Sequence, residues 1–291
     1  MASDWARSQR EGWLCRLYGT GEDDDNRVLP PDSIQARILN VLEGLLLQNI
    51  SPRDAAAQTA SHILSEEDIS TPWSNHVGMH LHAVQNFSDE ETLRLLAAYL
   101  IELASLPDAI TSGPGPKTIE TALGRETIEP GQRIELDGGT LWSGLPEYSW
   151  NLSESFQGPE QYLHRLVEPY TPAQAAQAWS NVNTYLALKT IDPRVNDIPA
   201  LARHITLGLR TLAMALEWSG ETWLGKNAEL HAPAAAQWLR IAGKEIDEVC
   251  KEGREQTGRG DMWEKRGGGL ECDAARLGFW RERLAGMGFE V

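Results

Sequence analysis

Apolar residues recur along this chain at intervals of three and four, the spacing that gathers them on one face of an α-helix. From Ser33 to Gln48 they fall at Ile34, Ile38, Val41, Leu42, Leu45 and Leu46. From Ser88 to Leu106 they fall at Leu93, Leu96, Leu100 and Leu103, and between Ile198 and Trp218 at Leu201, Ile205, Leu209, Leu212 and Leu216. A fourth series, from Pro233 to Cys250, runs through Ala234, Trp238, Ile241, Ala242, Ile246 and Val249. Helices over 52–64, 72–86, 172–190 and 273–286 complete the pattern. Ser51-Pro52, Thr71-Pro72 and Thr171-Pro172 each read as an N-cap hydroxyl followed by a first-turn proline, and Ser88 with Glu91 reads as a capping box. Only Arg133–Trp142 alternates, around Asp137-Gly138-Gly139, so it is read as either one short hairpin or an irregular loop. The expected fold is all-α, a single irregular bundle of about eight helices with at most one short β-hairpin near 133–142.

Two segments break the periodicity. Leu106–Lys117 contains Gly113-Pro114-Gly115-Pro116, and Gly253–Gly269 ends in three consecutive glycines. Both are expected to be surface loops or linkers. The chain is therefore divided into an N-terminal segment 1–30, a helical domain 31–252 with a candidate sub-boundary at 107–117, a Gly-rich loop 253–271 and a C-terminal helix 272–291.

Charge narrows the function classes. Lys and Arg number 26 against 42 Asp and Glu, a net charge of −16. Nucleic-acid binders and proteins that dock on anionic membrane by charge need the opposite balance, so neither partner is expected. Three cysteines at long spacings form no disulfide framework, and no apolar run resembles a signal or a membrane span. A cytoplasmic or nuclear setting with reduced thiols is expected.

Candidate chemistry is sparse. His76 and His80 lie one helical turn apart and are the weak candidates for a metal pair, with His82 pointing elsewhere. No metal and no cofactor is expected. Glu22-Asp23-Asp24-Asp25 imitates the magnesium motif of helical isoprenoid cyclases, but Arg27 stands where the last carboxylate belongs, so a solvated acidic loop is the plainer reading. Phosphate-binding loops and serine-hydrolase elbows are absent. The helix around Trp179 places Trp179 and Asn183 on one face and Asn181 and Tyr185 on another. With Trp238 they are the candidate ligand-binding residues, because an indole can stack on a ligand while an amide one turn away orients it. The plainer alternative is a Trp packed in the core and an Asn satisfying a carbonyl. His204 and Glu217, on the next helix, are the candidate catalytic acid–base residues if buried. Trp238 also sits among Ala235, Ala236, Ala242 and Gly243, small residues that suit close helix packing, and His231 is placed to cap that helix.

Trp142-Ser143-Gly144-Leu145-Pro146, Trp179 with Asn181 and Asn183, and the Pro233-to-Gly243 segment together resemble a family of uncharacterised proteins of filamentous fungi, over roughly residues 30–250. The resemblance implies a mostly helical intracellular protein and transfers no catalytic residues. Two functions are consistent with these features. One is a small-molecule-handling protein with an apolar ligand, in the form of a cofactor-independent isomerase, cyclase or lyase of fungal secondary metabolism. The other is a non-catalytic scaffold for a protein partner.

Overall fold

The computed structural model of the chain describes residues 1–21, 27–111, 115–121, 123–137, 139–166, 168–202 and 204–290. The acidic run at Glu22–Asp25, Gly113-Pro114 and Gly138 lie outside the described residues. The protein is 61% helical with two small antiparallel sheets, and its helices outnumber the eight expected. The chain divides into two compact units, 1–84 with 95–154, and 85–94 with 155–291. The segment at 107–117 lies inside the first unit.

The first unit holds α1 (Ala2–Glu11), α2 (Trp13–Tyr18), α3 (Ile34–Leu46), α4 (Pro52–Ser65), most of α5 (Ser70–Asn86), the C-terminal part of α6 (Glu90–Ala104) and α7 (Tyr148–Ser155). The first two were unforeseen, since few apolar residues mark them; α1 is fixed by buried Trp5, whose indole donates to His82 Nδ1 at 3.1 Å. Helices α3 and α4 follow the sequence pattern closely, and Ser51 caps α4 by accepting from the Asp54 N–H at 3.1 Å. Two caps fall elsewhere than expected. Asp68 Oδ1 accepts from the Ser70 and Thr71 N–H groups at the start of α5, and Asp89 Oδ1 accepts from the Thr92 N–H at the start of α6. In each case a carboxylate, favoured by the positive end of the helix, displaces the hydroxyl.

Strands β1 (Lys117–Thr121) and β2 (Gly124–Ile128) form an unforeseen hairpin in which only Ile119 and Ile128 are buried, too little apolar alternation to read in the sequence. Strands β3 (Glu135–Leu136) and β4 (Gly139–Thr140) pair antiparallel, the hairpin alternative of the two read for 133–142, so the described residues hold two hairpins where at most one was expected. Before Gly113-Pro114, the described residues of the segment at 107–117 are held in place. Ala109 and Thr111 are buried, and the backbone bonds Ile134 N–H to Ala109 O at 2.8 Å and Thr111 N–H to Gln132 O at 2.9 Å.

The second unit contains α8 (Glu160–Leu163), α9 (Pro172–Thr190), a 3₁₀ turn (Pro193–Asp197), α10 (Ile205–Leu216), α11 (Trp223–Lys226), α12 (Ala228–Glu252), α13 (Asp261–Lys265) and α14 (Ala274–Gly286). Helix α9 has the predicted bounds, opened by a Thr171–Gln174 capping box. Every residue from Ala178 to Lys189 is buried, so α9 is the central rod on which α8, α10 and α12 pack. Helix α12 begins at Ala228, before the expected proline start. Pro233 lies inside it, the rod bends at Ala242, and His231 faces the interior and caps nothing.

The Gly-rich stretch 253–269 is also held. Arg259 donates to Gly268 O, the Trp263 indole donates to Gly269 O at 3.1 Å, and the Met262 N–H reaches Glu217 O at 2.9 Å. No helix among the described residues is long and apolar enough to cross a membrane.

Candidate functional site

The Trp/Asn face of α9 is the centre of the second unit. Asn183 Oδ1 accepts from Trp238 Nε1 and from the Thr211 hydroxyl, both at 2.7 Å, while Asn183 Nδ2 donates to Trp179 O at 2.9 Å. These bonds fill both acceptor positions of the carboxamide oxygen and one of its two N–H donors inside the protein. The Trp238 ring lies flat against Gly208, where a Cβ would fall 2.6 Å from a ring carbon. Trp179, Asn183 and Trp238 are thus brought together, as a bonded packing core and not as the wall of a cleft. Asn181 Nδ2 donates to Gln85 O at 2.8 Å and its Oδ1 accepts from Gln177. Tyr185 is buried on the same helix, with the Lys189 ammonium nitrogen 5.0 Å from its ring centre.

The C-terminal end of α9 leads to a cleft of about 290 Å³. Val195, Leu201, Ile205 and Val249 give it an apolar lining, and His204 lines it at the start of α10. Glu245, Glu248 and Glu252 line the side formed by the last turns of α12, three or four residues apart and so on one helix face. Burial, and secondarily the charge of Lys189, hold the His204 imidazole well below its usual pKa, so it is uncharged at neutral pH. Lys189, fully buried, is likewise pushed well below the ordinary lysine range by burial.

Glu217 stands at the other end of α10, thirteen positions on from His204 and roughly 20 Å away along the helix. The two candidate acid–base residues therefore do not meet. Glu217 is fully buried and engaged on both oxygens: Oε1 accepts from Arg276 Nε at 2.7 Å and Trp280 Nε1 at 2.6 Å, Oε2 from Arg276 Nη2 at 3.0 Å and the Gly260 N–H at 2.9 Å. Arg276 also donates to Leu270 O and Gly258 O. This network fastens the Gly-rich stretch and α14 to α10.

In the first unit, His76 and His80 are buried, their ring centres 6.2 Å apart. His76 Nε2 pairs with the Tyr99 hydroxyl at 2.7 Å, and Tyr99 donates to Thr59 Oγ1. Burial drives the His76 imidazole down to a pKa of about 3. Among the described residues no group of three or more His, Cys, Asp or Glu is placed to hold a metal ion.

One pair escaped the sequence reading. His231, buried on α12, bonds Glu160 Oε1 through Nε2 at 3.0 Å, and its ring meets Trp179 edge to face. Burial raises the Glu160 pKa, but the His231 hydrogen bond and charge outweigh it and the net shift is downward. The two residues are 71 positions apart, and nothing local in the sequence joins them.

Fold and sites together define a two-unit, mostly helical protein with a small acidic-walled cleft in its second unit. The chain belongs to the family described as protein of unknown function (DUF3632), whose model matches residues 78–284, more than half of the chain. The match starts later than the motifs suggested and runs through the Gly-rich stretch into α14. No curated protein and no solved structure matches the chain.

Proposed function

We propose that this protein binds a small amphipathic molecule in the cleft beside His204. The observation that carries the reading is the combination of apolar lining residues with three carboxylates on one helix face in a recess of about 290 Å³. That volume lies near the lower end of small-molecule sites, about 300–1,000 Å³, so the ligand is fragment-sized. Its apolar body rests on Leu201, Ile205 and Val249, and a positively charged nitrogen faces Glu245, Glu248 and Glu252. His204, uncharged, orients it by a hydrogen bond. A base held well below its ordinary range is a weak proton acceptor at neutral pH, which favours binding over isomerase, cyclase or lyase chemistry.

The scaffold reading is supported by the full packing of Trp179 and Trp238, which takes both indoles out of any cleft, and by the exposed Trp150 and Trp223. Thermal shift with native mass spectrometry on the purified chain, against small amines and a cell extract, separates the two. The cleft reading expects a compound that raises Tm in wild type, less so in Glu248→Lys and in high salt. Stabilisation that is equal in Glu248→Lys, or none across the extract, favours the scaffold.

A further inference from the structure

A second recess, of about 440 Å³, lies in the first unit and shares no residue with the cleft. The turn after α3 lines it with Gln48, Asn49 and Ile50, α4 with Asp54 and Gln58, and α6 with Leu95.

Gln48 is the unusual member. Helix α3 ends in a Schellman motif, in which the Gln48 N–H bonds Leu45 O and the Asn49 N–H bonds Gly44 O, both at 2.9 Å. The residue just past the cap is left-handed in this motif, and Gln48 holds that position at φ +58°. Glycine is the ordinary occupant, because a side chain costs free energy in this region. A strained position that keeps its side chain, on the wall of a recess, points to a use for that side chain.

The lining selects the ligand. Its one ionised group is Asp54, whose carboxylate already accepts from the Ser51 hydroxyl at 2.6 Å. That charge turns anions away, and a lone exposed carboxylate holds a cation only weakly. Gln48, Asn49 and Gln58 each bring an amide that donates through nitrogen and accepts through oxygen. Ile50 and Leu95 add apolar surface. A neutral molecule with adjacent hydroxyls meets all of these, since each hydroxyl both donates and accepts while the C–H faces cover the apolar side chains. The volume falls within the range of small-molecule sites, about 300–1,000 Å³, and suits compact rings. We infer that this recess is a binding site for a neutral sugar, whose hydroxyls bond Gln48, Asn49 and Gln58.

Saturation-transfer NMR on the full chain, against glucose, galactose, mannose, N-acetylglucosamine and their disaccharides, tests this. At least one sugar is expected to respond at millimolar concentration. Its Kd is expected to rise about fivefold in Gln58→Leu, the effect of one lost hydrogen bond. Gln48→Gly is expected to weaken the same sugar while Tm stays equal to wild type or rises, because glycine relieves the left-handed turn. Glu248→Lys leaves the affinity unchanged, which separates this site from the cleft. No response from any of the sugars overturns the inference, as does a Kd unchanged in both Gln48→Gly and Gln58→Leu. An uncharged peptide that binds here where no sugar does assigns the recess to a protein partner and overturns it as well.

Discussion

At the scale of single residues, the second unit and the first both bury titratable groups that burial keeps uncharged. His76 is the clearest, with a pKa of about 3 in the folded protein against an ordinary 6.5. Below pH 6.5 the unfolded chain therefore binds a proton that the native state refuses, and stability falls with pH until about pH 3. At pH 5 this amounts to about 2 kcal/mol. Urea titrations at pH 7 and pH 5 are expected to show that loss in wild type and a clearly smaller one in His76→Gln, with His204 contributing in the same direction. Lys189 works with the same sign at higher pH: burial holds its folded pKa well below the ordinary 10.5, so stability rises with pH in the window between the two and levels off above 10.5. Lys189→Met should flatten that rise and increase stability at pH 7, as read from Tm at pH 7 and pH 10. The spacing of His76 and His80 was legible in the sequence. What the spacing could not reveal was the partner: Tyr99 comes from another helix, and a bonded, desolvated histidine looks in sequence like a ligating one.

At the scale of elements, helices announced by a cap and a long apolar series were legible almost to the residue. Helix α9 shows both signals, and Thr171→Ala is expected to cost about 1 kcal/mol in chemical denaturation. Short elements were not legible. Helices α8, α11 and α13 span four or five residues, less than two turns, so no periodicity can accumulate in them. Helix α12 hid its start because Pro233 looks like a first-turn residue while the helix already runs from Ala228. The contact between α10 and α12 depends on Gly208, which leaves room for the Trp238 ring. Gly208→Ala should cost about 1–3 kcal/mol through overpacking and weaken the Trp238–Asn183 bond, visible as a change in Trp fluorescence along with a lower Tm. The small residues of the Pro233-to-Gly243 segment had indicated a central packing helix. Their glycine counterpart on α10 carried no such mark.

At the scale of the whole molecule, the −16 charge falls mostly on the first unit, with 21 acidic against 9 basic residues there and 21 against 17 in the second, and the cleft takes only three of the second unit's carboxylates. Glu217 illustrates why a candidate site misreads: a lone carboxylate ending an apolar stripe looks chemical until a buried arginine 59 residues later occupies it. Breaking such a pair by removing one partner costs about 3–5 kcal/mol, since the other charge is left buried. Glu217→Gln is expected to lose that much in urea unfolding and to open residues 253–272 to proteolysis. A Glu217→Leu, Arg276→Met double variant should recover part of the loss, and failure to recover any would mean the pair does more than satisfy two charges. The same pairing has a consequence for synthesis. Glu217 leaves the ribosome 59 residues ahead of Arg276, so α10 cannot settle against its neighbours while the carboxylate lacks its guanidinium. The second unit, itself assembled from 85–94 and the far later 155–291, is thus bound to close only once Arg276 has emerged, and a nascent chain stalled before Arg276 would present α10 to chaperones as an unclosed, apolar helix.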